Sequence, residues 1–214
     1  MDKKKRSASN NKKNMIKKIE EKDYLLAAEL IYDTSTSLSE FIFGKREKSI
    51  PYIKKLVEIG NNSLGCENVY GYYLNNELVG LYIGYTGEKK KYYEGMPDFY
   101  AFLKAFNILE ILILVGKLPI LNRLLTSKIE KDEYYISNLV VDSRFRGRGI
   151  GSILLDHAIE NAKKKECISV ILDVDMNNKK AVSFYRRMGF KIVDKNEIKI
   201  MKEGTYKMEL GLRR

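Results

Sequence analysis

The chain has 214 residues, 44% of them hydrophobic and 31% charged, with a formal net charge of +11. Such a length and composition exclude a disordered or fibrous chain and describe a globular domain with a core. Seven of the eleven net positive charges fall in the first eighteen residues, where eight Lys and Arg face only Asp2. The basic excess thus belongs to a tail, which argues against nucleic-acid recognition by a folded face.

Residues 1–14 are polar and rich in Asn, Ser and Lys. They are expected to form a disordered basic tail, with no aromatic residue on which a base could stack. They offer no apolar run of the kind a signal peptide needs. Cys66 and Cys167 lie far apart and show no metal spacing, so a cytoplasmic protein without a metal is expected.

The first expected strand covers 14–20, with Met15, Ile16 and Ile19 as its apolar residues. Asp23 caps a helix carrying Leu25, Leu26, Ala28, Leu30 and Ile31, which ends at the polar turn Asp33-Thr34-Ser35. An amphipathic helix from Glu47 closes at Gly60. Val69–Leu74 and Leu78–Tyr85 read as a hairpin around Asn75-Asn76, its many tyrosines placed by β-propensity and sheet packing.

Residues 88–131 read as a helical insertion. A polar turn, Glu88-Lys89-Lys90-Lys91, precedes Phe99, Phe102, Leu103, Phe106 and Leu109 at helical spacing. Ile108–Val115 is then apolar on nearly every side except Glu110, and Gly116 and Pro119 are expected to break it before a short helix at 120–125. The run is too short to span a bilayer, which takes about 20 apolar residues. A helix apolar all round must be buried, against its own domain, an acyl chain or the second subunit of a homodimer.

The next stretch organises the chain. Leu139, Val140 and Val141 form a β-branched run that stops at Asp142-Ser143 and enters a loop holding Arg144, Arg146, Arg148, Gly147, Gly149 and Gly151. From Gly149 an amphipathic helix begins, with Ile153, Leu154, Ile159 and Ala162 at helical spacing. Strand, glycine-rich turn and helix aim free backbone N–H groups at an anion. The run G-R-G-I-G-S lacks the sixth-position glycine of a dinucleotide fingerprint, and no G-K-[ST] follows. His157, the only histidine, lies on this helix away from the loop mouth, in a surface or core role. A strand at 168–174 follows, then N-K-K-A-V-S-F-Y-R-R-M-G-F from Asn178 to Phe190, and strands at 190–193 and 205–210.

The pattern R-x-x-G-x-G (Arg146, Gly149, Gly151) after an L-V-V strand resembles the acetyl-CoA pyrophosphate loop of the GNAT superfamily of N-acyltransferases. Asn178 to Phe190 looks like the family's N-x-x-A-x-x-F-Y-x-x-x-G-F segment at the expected distance. The resemblance is concentrated between about Tyr134 and Val193. It implies an α/β (α+β) fold: a mixed, mostly antiparallel central sheet of about seven strands flanked by helices. The fourth and fifth strands would splay apart, with the helical insertion before the fourth, in a single domain over 15–214. It further implies that Leu139, Val140 and Val141 border the pantetheine, with backbone groups of Leu139 and Val141 pairing with it. Arg146, Gly147, Arg148, Gly149, Ile150 and Gly151 would hold the pyrophosphate. Asn178 is either the cap of its helix or a hydrogen-bonding group for the cofactor arm, or both.

Tyr185 would contact the donor and protonate the departing thiolate, since a phenol with pKa ≈ 10 suits that role. Glu133, near the start of the fourth strand, is the candidate general base, or else a solvated loop acid. The activity implied is N-acetyl transfer from acetyl-CoA to a primary amine on a small molecule or peptide. A catalytically silent acyl-CoA-binding sensor would carry the same two motifs.

Overall fold

The computed structural model of the chain describes residues 15–125, 128–198 and 203–212. The expected tail at 1–14 lies outside the described residues. Seven strands, β1 (Met15–Lys18), β2 (Val69–Leu74), β3 (Glu77–Thr86), β4 (Glu133–Val141), β5 (Ser169–Asp175), β6 (Lys191–Ile198) and β7 (Glu203–Gly211), form one sheet in the order β1-β2-β3-β4-β5-β7-β6. Every neighbouring pair is antiparallel except β4–β5, which is parallel. The β2–β3 turn forms as expected: Asn75 and Asn76 both take positive φ, 54° and 67°. Asparagine tolerates the left-handed region that a two-residue hairpin turn requires.

Period-two alternation along the central strands builds a core on each face. On one face, Leu81, Ile83, Tyr85, Tyr135 and Ile171 pack under α1 (Tyr24–Thr34) and α3 (Arg46–Ile59), with α2 (Thr36–Phe43) between those helices in sequence. On the other, Tyr82, Tyr134, Ile136, Val170 and Leu172 pack under α7 (Ile150–Lys164) and α8 (Lys179–Arg187). The successive residues Tyr134, Tyr135 and Ile136 thus serve opposite cores. His157 is half-buried, between the surface and core readings: the Tyr82 hydroxyl lies 2.9 Å from its Nδ1, and burial first, then Lys164 and Lys18, lowers its pKa.

Three helices connect β3 to β4: α4 (Gly87–Tyr93), α5 (Met96–Ala105) and α6 (Ile108–Leu125). Two expectations change here. The lysine-rich stretch is a helix and not a turn, because Thr86 Oγ1 caps it through the Lys89 N–H while Lys90 and Tyr93 turn inward. And α6 runs unbroken through Gly116 and Pro119, carried by Leu- and Ile-rich flanks of good helix propensity. Its start is a reciprocal cap, Asn107 N–H to Glu110 Oε2 and Glu110 N–H to Asn107 Oδ1, each 3.0 Å. Tyr52 of α3 donates to the Glu110 carboxylate, Lys117 donates to the Phe41 carbonyl of α2, and α6 lies against β6. The expectation that the domain buries this helix does not hold at Leu112 and Ile113, which are 61% and 60% exposed. A helix apolar all round cannot hide every side against one neighbour.

The stems of the insertion touch at Gly87. A Cβ built there would sit 1.8 Å from the Glu130 carbonyl oxygen, and the Glu88 N–H donates to the Lys131 carbonyl at 3.3 Å. Gly87→Ala should therefore lower stability by roughly 3 kcal/mol, the upper part of the overpacking range. Chemical denaturation measures this, and an unchanged midpoint would mean that the stems part freely.

Candidate functional site

β4 and β5 pair only from Glu133↔Ser169 to Ile136↔Leu172. Past that point β4 stays with β3 as far as Val141↔Gly80, and β5 stays with β7 as far as Asp175↔Thr205. Each strand keeps its outer neighbour and releases the inner one. The result is a fork whose walls begin at Ser137 and Asp173. Backbone groups facing such a gap require partners, so a fork accepts an extended ligand as if it were a strand. Leu139 and Val141 line the wall with side chains toward the α7 core, and Val140 turns to the other face.

The loop at the open end has the geometry of an anion cradle. Gly147 and Gly149 both have φ of +78°, and a Cβ on either would meet no atom within 4 Å. Both positions thus require glycine for the backbone and leave open space above it. Gly149 caps α7, and Ile150 and Gly151 open its first turn, where backbone N–H groups have no intrahelical acceptor. The three arginines divide. Arg144 is committed to Asp142 and Glu77 and holds the Asp142 carboxyl below its ordinary range. Arg146 Nε donates to the Val141 carbonyl at 3.0 Å, and Arg148 lies 5.3 Å from the Phe145 ring. Neither Arg146 nor Arg148 has a salt bridge among the described residues.

The two sequence segments meet in space. A Cβ on Gly151 would lie 3.7 Å from the Phe184 ring and 3.9 Å from Val141 Cγ2. Asn178 caps α8, its side chain accepting from the Ala181 N–H at 3.0 Å. Tyr185 is 8% exposed, tilted against Phe184 and Phe190, and burial pushes its phenol above the ordinary value.

Glu133 is not brought to the fork. It is the first residue of β4, only 9% exposed, and its carboxylate accepts from the Glu130 N–H at 2.8 Å and the Ser169 hydroxyl at 3.5 Å. At about 3.3 Å per residue it lies some 13 Å short of the opening at Ser137. The solvated-acid reading does not hold, because the side chain is buried.

The fork's vertex is occupied by a pair that sequence reasoning passed over. The Tyr135 hydroxyl donates to Asp173 Oδ2 at 2.9 Å, across the last paired rungs of β4 and β5. Burial first, then the Asp173 carboxylate, pushes the Tyr135 phenol well up. Lys90 of α4, itself buried and ion-paired with Glu94, lies 5.5 Å over the Tyr135 ring. A signal did exist: Asp173 interrupts the apolar run Val170-Ile171-Leu172 before Val174, and a carboxylate inside a buried strand demands a partner.

The fork and the glycine-rich helix N-terminus thus set a strand-like slot beside an anion cradle. The model of the Acetyltransferase (GNAT) family matches residues 58–190. The chain belongs to the GNAT family. The uncharacterized N-acetyltransferase MJ1207 of Methanocaldococcus jannaschii is 51% identical over 65 residues, which cover 30% of this chain and 29% of that protein. N-alpha-acetyltransferase 30 of Xenopus laevis is 35% identical over 78 residues, covering 36% of this chain and 28% of that protein. The chain thus matches under a third of the length of these curated relatives. An N-acetyltransferase structure from Staphylococcus aureus Mu50 superposes with a TM-score of 0.71 at 21% identity, covering 92% of this chain and all of that one.

The cap and ligand readings of Asn178 separate by substitution. Asn178→Asp keeps the capping oxygen and should hold stability within a few tenths of a kcal/mol, whereas Asn178→Ala should cost about 1 kcal/mol. Thermal unfolding of both variants checks this. Equal losses would show that the cap contributes little.

Proposed function

We propose that the chain transfers an acetyl group from acetyl-CoA to a primary amine, and that the acceptor is the α-amine of a peptide. The fork is the observation that carries this reading, since it joins a strand-like slot, an anion cradle and a hydrogen-bonded tyrosine–carboxylate pair in one place. The residues fit the donor: Gly147 and Gly149 leave the cradle open, and Arg146 and Arg148 stand beside it. When bound, acetyl-CoA supplies the activated acyl carbon. Leu139 and Val141 would align its arm along β4, and Ile150 and Gly151 would offer N–H groups to its pyrophosphate.

At the vertex the acceptor nitrogen attacks the thioester carbon, the C–S bond breaks, and the sulfur leaves as a thiolate. We assign the amine's proton to Asp173 in place of Glu133, with Tyr135 holding the carboxylate in position, and the thiolate's proton to Tyr185. An α-amine suits this site: freeing it at pH 7 costs about 1.4 kcal/mol, against about 4.6 for a lysine side chain. N-alpha-acetyltransferase 30, among the relatives, is named for such an acceptor. The presence of a proton acceptor at the vertex favours turnover over silent binding. The two free cysteines, Cys66 and Cys167, support a cytoplasmic location.

Coenzyme A release against peptides and small amines tests the activity, and binding of acetyl-CoA without release for any amine would sink it. Asp173→Asn should lower kcat by roughly 100- to 1000-fold with donor binding kept within a few-fold, while Glu133→Gln should chiefly lower the melting temperature. The reverse pattern would return the base to Glu133.

Tyr185→Phe keeps the ring against Phe184 and Phe190 and should cut the single-turnover rate by roughly 100-fold. Because burial holds this phenol above its usual pKa near 10, the wild-type rate should not decline between about pH 8 and pH 10. A wild-type rate in the Phe variant would remove the tyrosine from the chemistry.

A further inference from the structure

The largest feature the proposed reaction leaves unused is the outer side of the insertion. Ile108, Leu109, Leu112 and Ile113 form one stripe along α6, each at least 60% exposed. On α5, Met96, Phe99 and Tyr100 form another, at 49% to 72% exposure. Together these side chains expose on the order of 800 Å² of mostly apolar surface, above the roughly 300–600 Å² of the largest patch on an ordinary monomer. About 800 Å² per partner is also what a standard protein interface buries.

Charge and shape decide what covers it. A lipid surface calls for a rim of Lys and Arg around the apolar stripe. Met96 to Lys117 holds Lys104 and Lys117 against Asp98 and Glu110, and Lys117 is engaged with the Phe41 carbonyl. This part of a +11 chain is locally neutral, so it gives an anionic bilayer little attraction. The same neutrality lets two strongly basic copies approach without facing each other's lysines. Gly116 follows on the stripe, one turn after Leu112, and a Cβ there would meet nothing within 4 Å. Glycine inside a helix is unfavourable relative to alanine, and no contact among the described residues requires it. A bare backbone at that point lets a second helix approach closely, which lipid tails would not exploit.

We infer that the α5–α6 face is a homodimer interface, in which the α6 stripe of one copy packs on that of another around Gly116. The contact is isologous: a self-complementary apolar patch needs no second surface. It does not depend on the acetyl-transfer reading, because the proposed reaction uses none of its residues.

Sedimentation equilibrium on the full chain across micromolar concentrations tests this. The wild type should be a dimer. Leu112→Glu with Ile113→Glu should raise the dissociation constant at least a hundredfold, and Gly116→Leu at least about tenfold. Both variants should keep the monomer's circular dichroism spectrum, since the replaced positions are exposed in one copy. Gly116→Leu keeps the test decisive if the double variant does not fold. A wild type that stays monomeric throughout, or a dimer untouched by these changes, overturns the proposal. So does a monomer that pellets with phosphatidylglycerol vesicles, which would give the face to lipid.

Discussion

The structure depends on one incomplete strand pairing. Four rungs hold β4 to β5, and beyond Ile136↔Leu172 each strand is held only from outside, by β3 and by β7. Antiparallel neighbours on both flanks make this release affordable, because neither strand loses its other ladder when the shared one ends. The parallel sense of β4–β5 follows from α7, which crosses one face between them. That crossover starts at the glycine loop. The fork and the anion cradle are therefore two consequences of the same connection, and their adjacency needs no further cause.

The face opposite α7 gives the fork its chemistry. Tyr135 and Ile171 point there with α1 and α3, and the insertion's first helix brings Lys90 over the Tyr135 ring. A buried tyrosine hydroxyl is costly unless it bonds, and its 2.9 Å bond to the half-buried Asp173 meets that condition. The vertex is thus stabilised by the same pair in which the proposed reaction gives the amine proton to Asp173 and leaves Tyr135 to position it. Their removal would disturb both folding and rate, so the asparagine variant, which keeps size and hydrogen-bonding capacity, is the informative one.

Much of this was legible in the chain. The Asn75-Asn76 hairpin, the Gly60 cap, the Leu139-Val140-Val141 strand and the helix from Gly149 each carry a local signal that tertiary context did not override. The insertion was read less well, because a capping threonine and inward-turned Lys90 made a helix of what composition marks as a turn. Pro119 suggested a break where flanking propensity carried α6 across. At the site, glycines and arginines could be named but not apportioned, since the commitment of Arg144 to Asp142 and Glu77 is a tertiary fact. Glu133 and Asp173 were both visible as acids. Only register shows that the first sits at the closed end of the β4–β5 pair and the second at its mouth.

The two buried tyrosines complete the proton logic of the proposed site. Tyr135 and Tyr185 lie in cores on opposite faces of the sheet, and burial raises both phenols. Each is thereby kept protonated, so each acts as a hydrogen-bond donor. Tyr135 spends its proton on Asp173, which leaves the carboxylate as the acceptor group at the vertex. The proposed path thus has a direction: the amine's proton enters at Asp173 on one face, and the thiolate's proton leaves Tyr185 on the other. A single residue near pKa 7 would have to take and return the same proton within one turnover. Two separated groups, a carboxylate and a phenol held neutral by burial, divide the task and reset through solvent after product leaves.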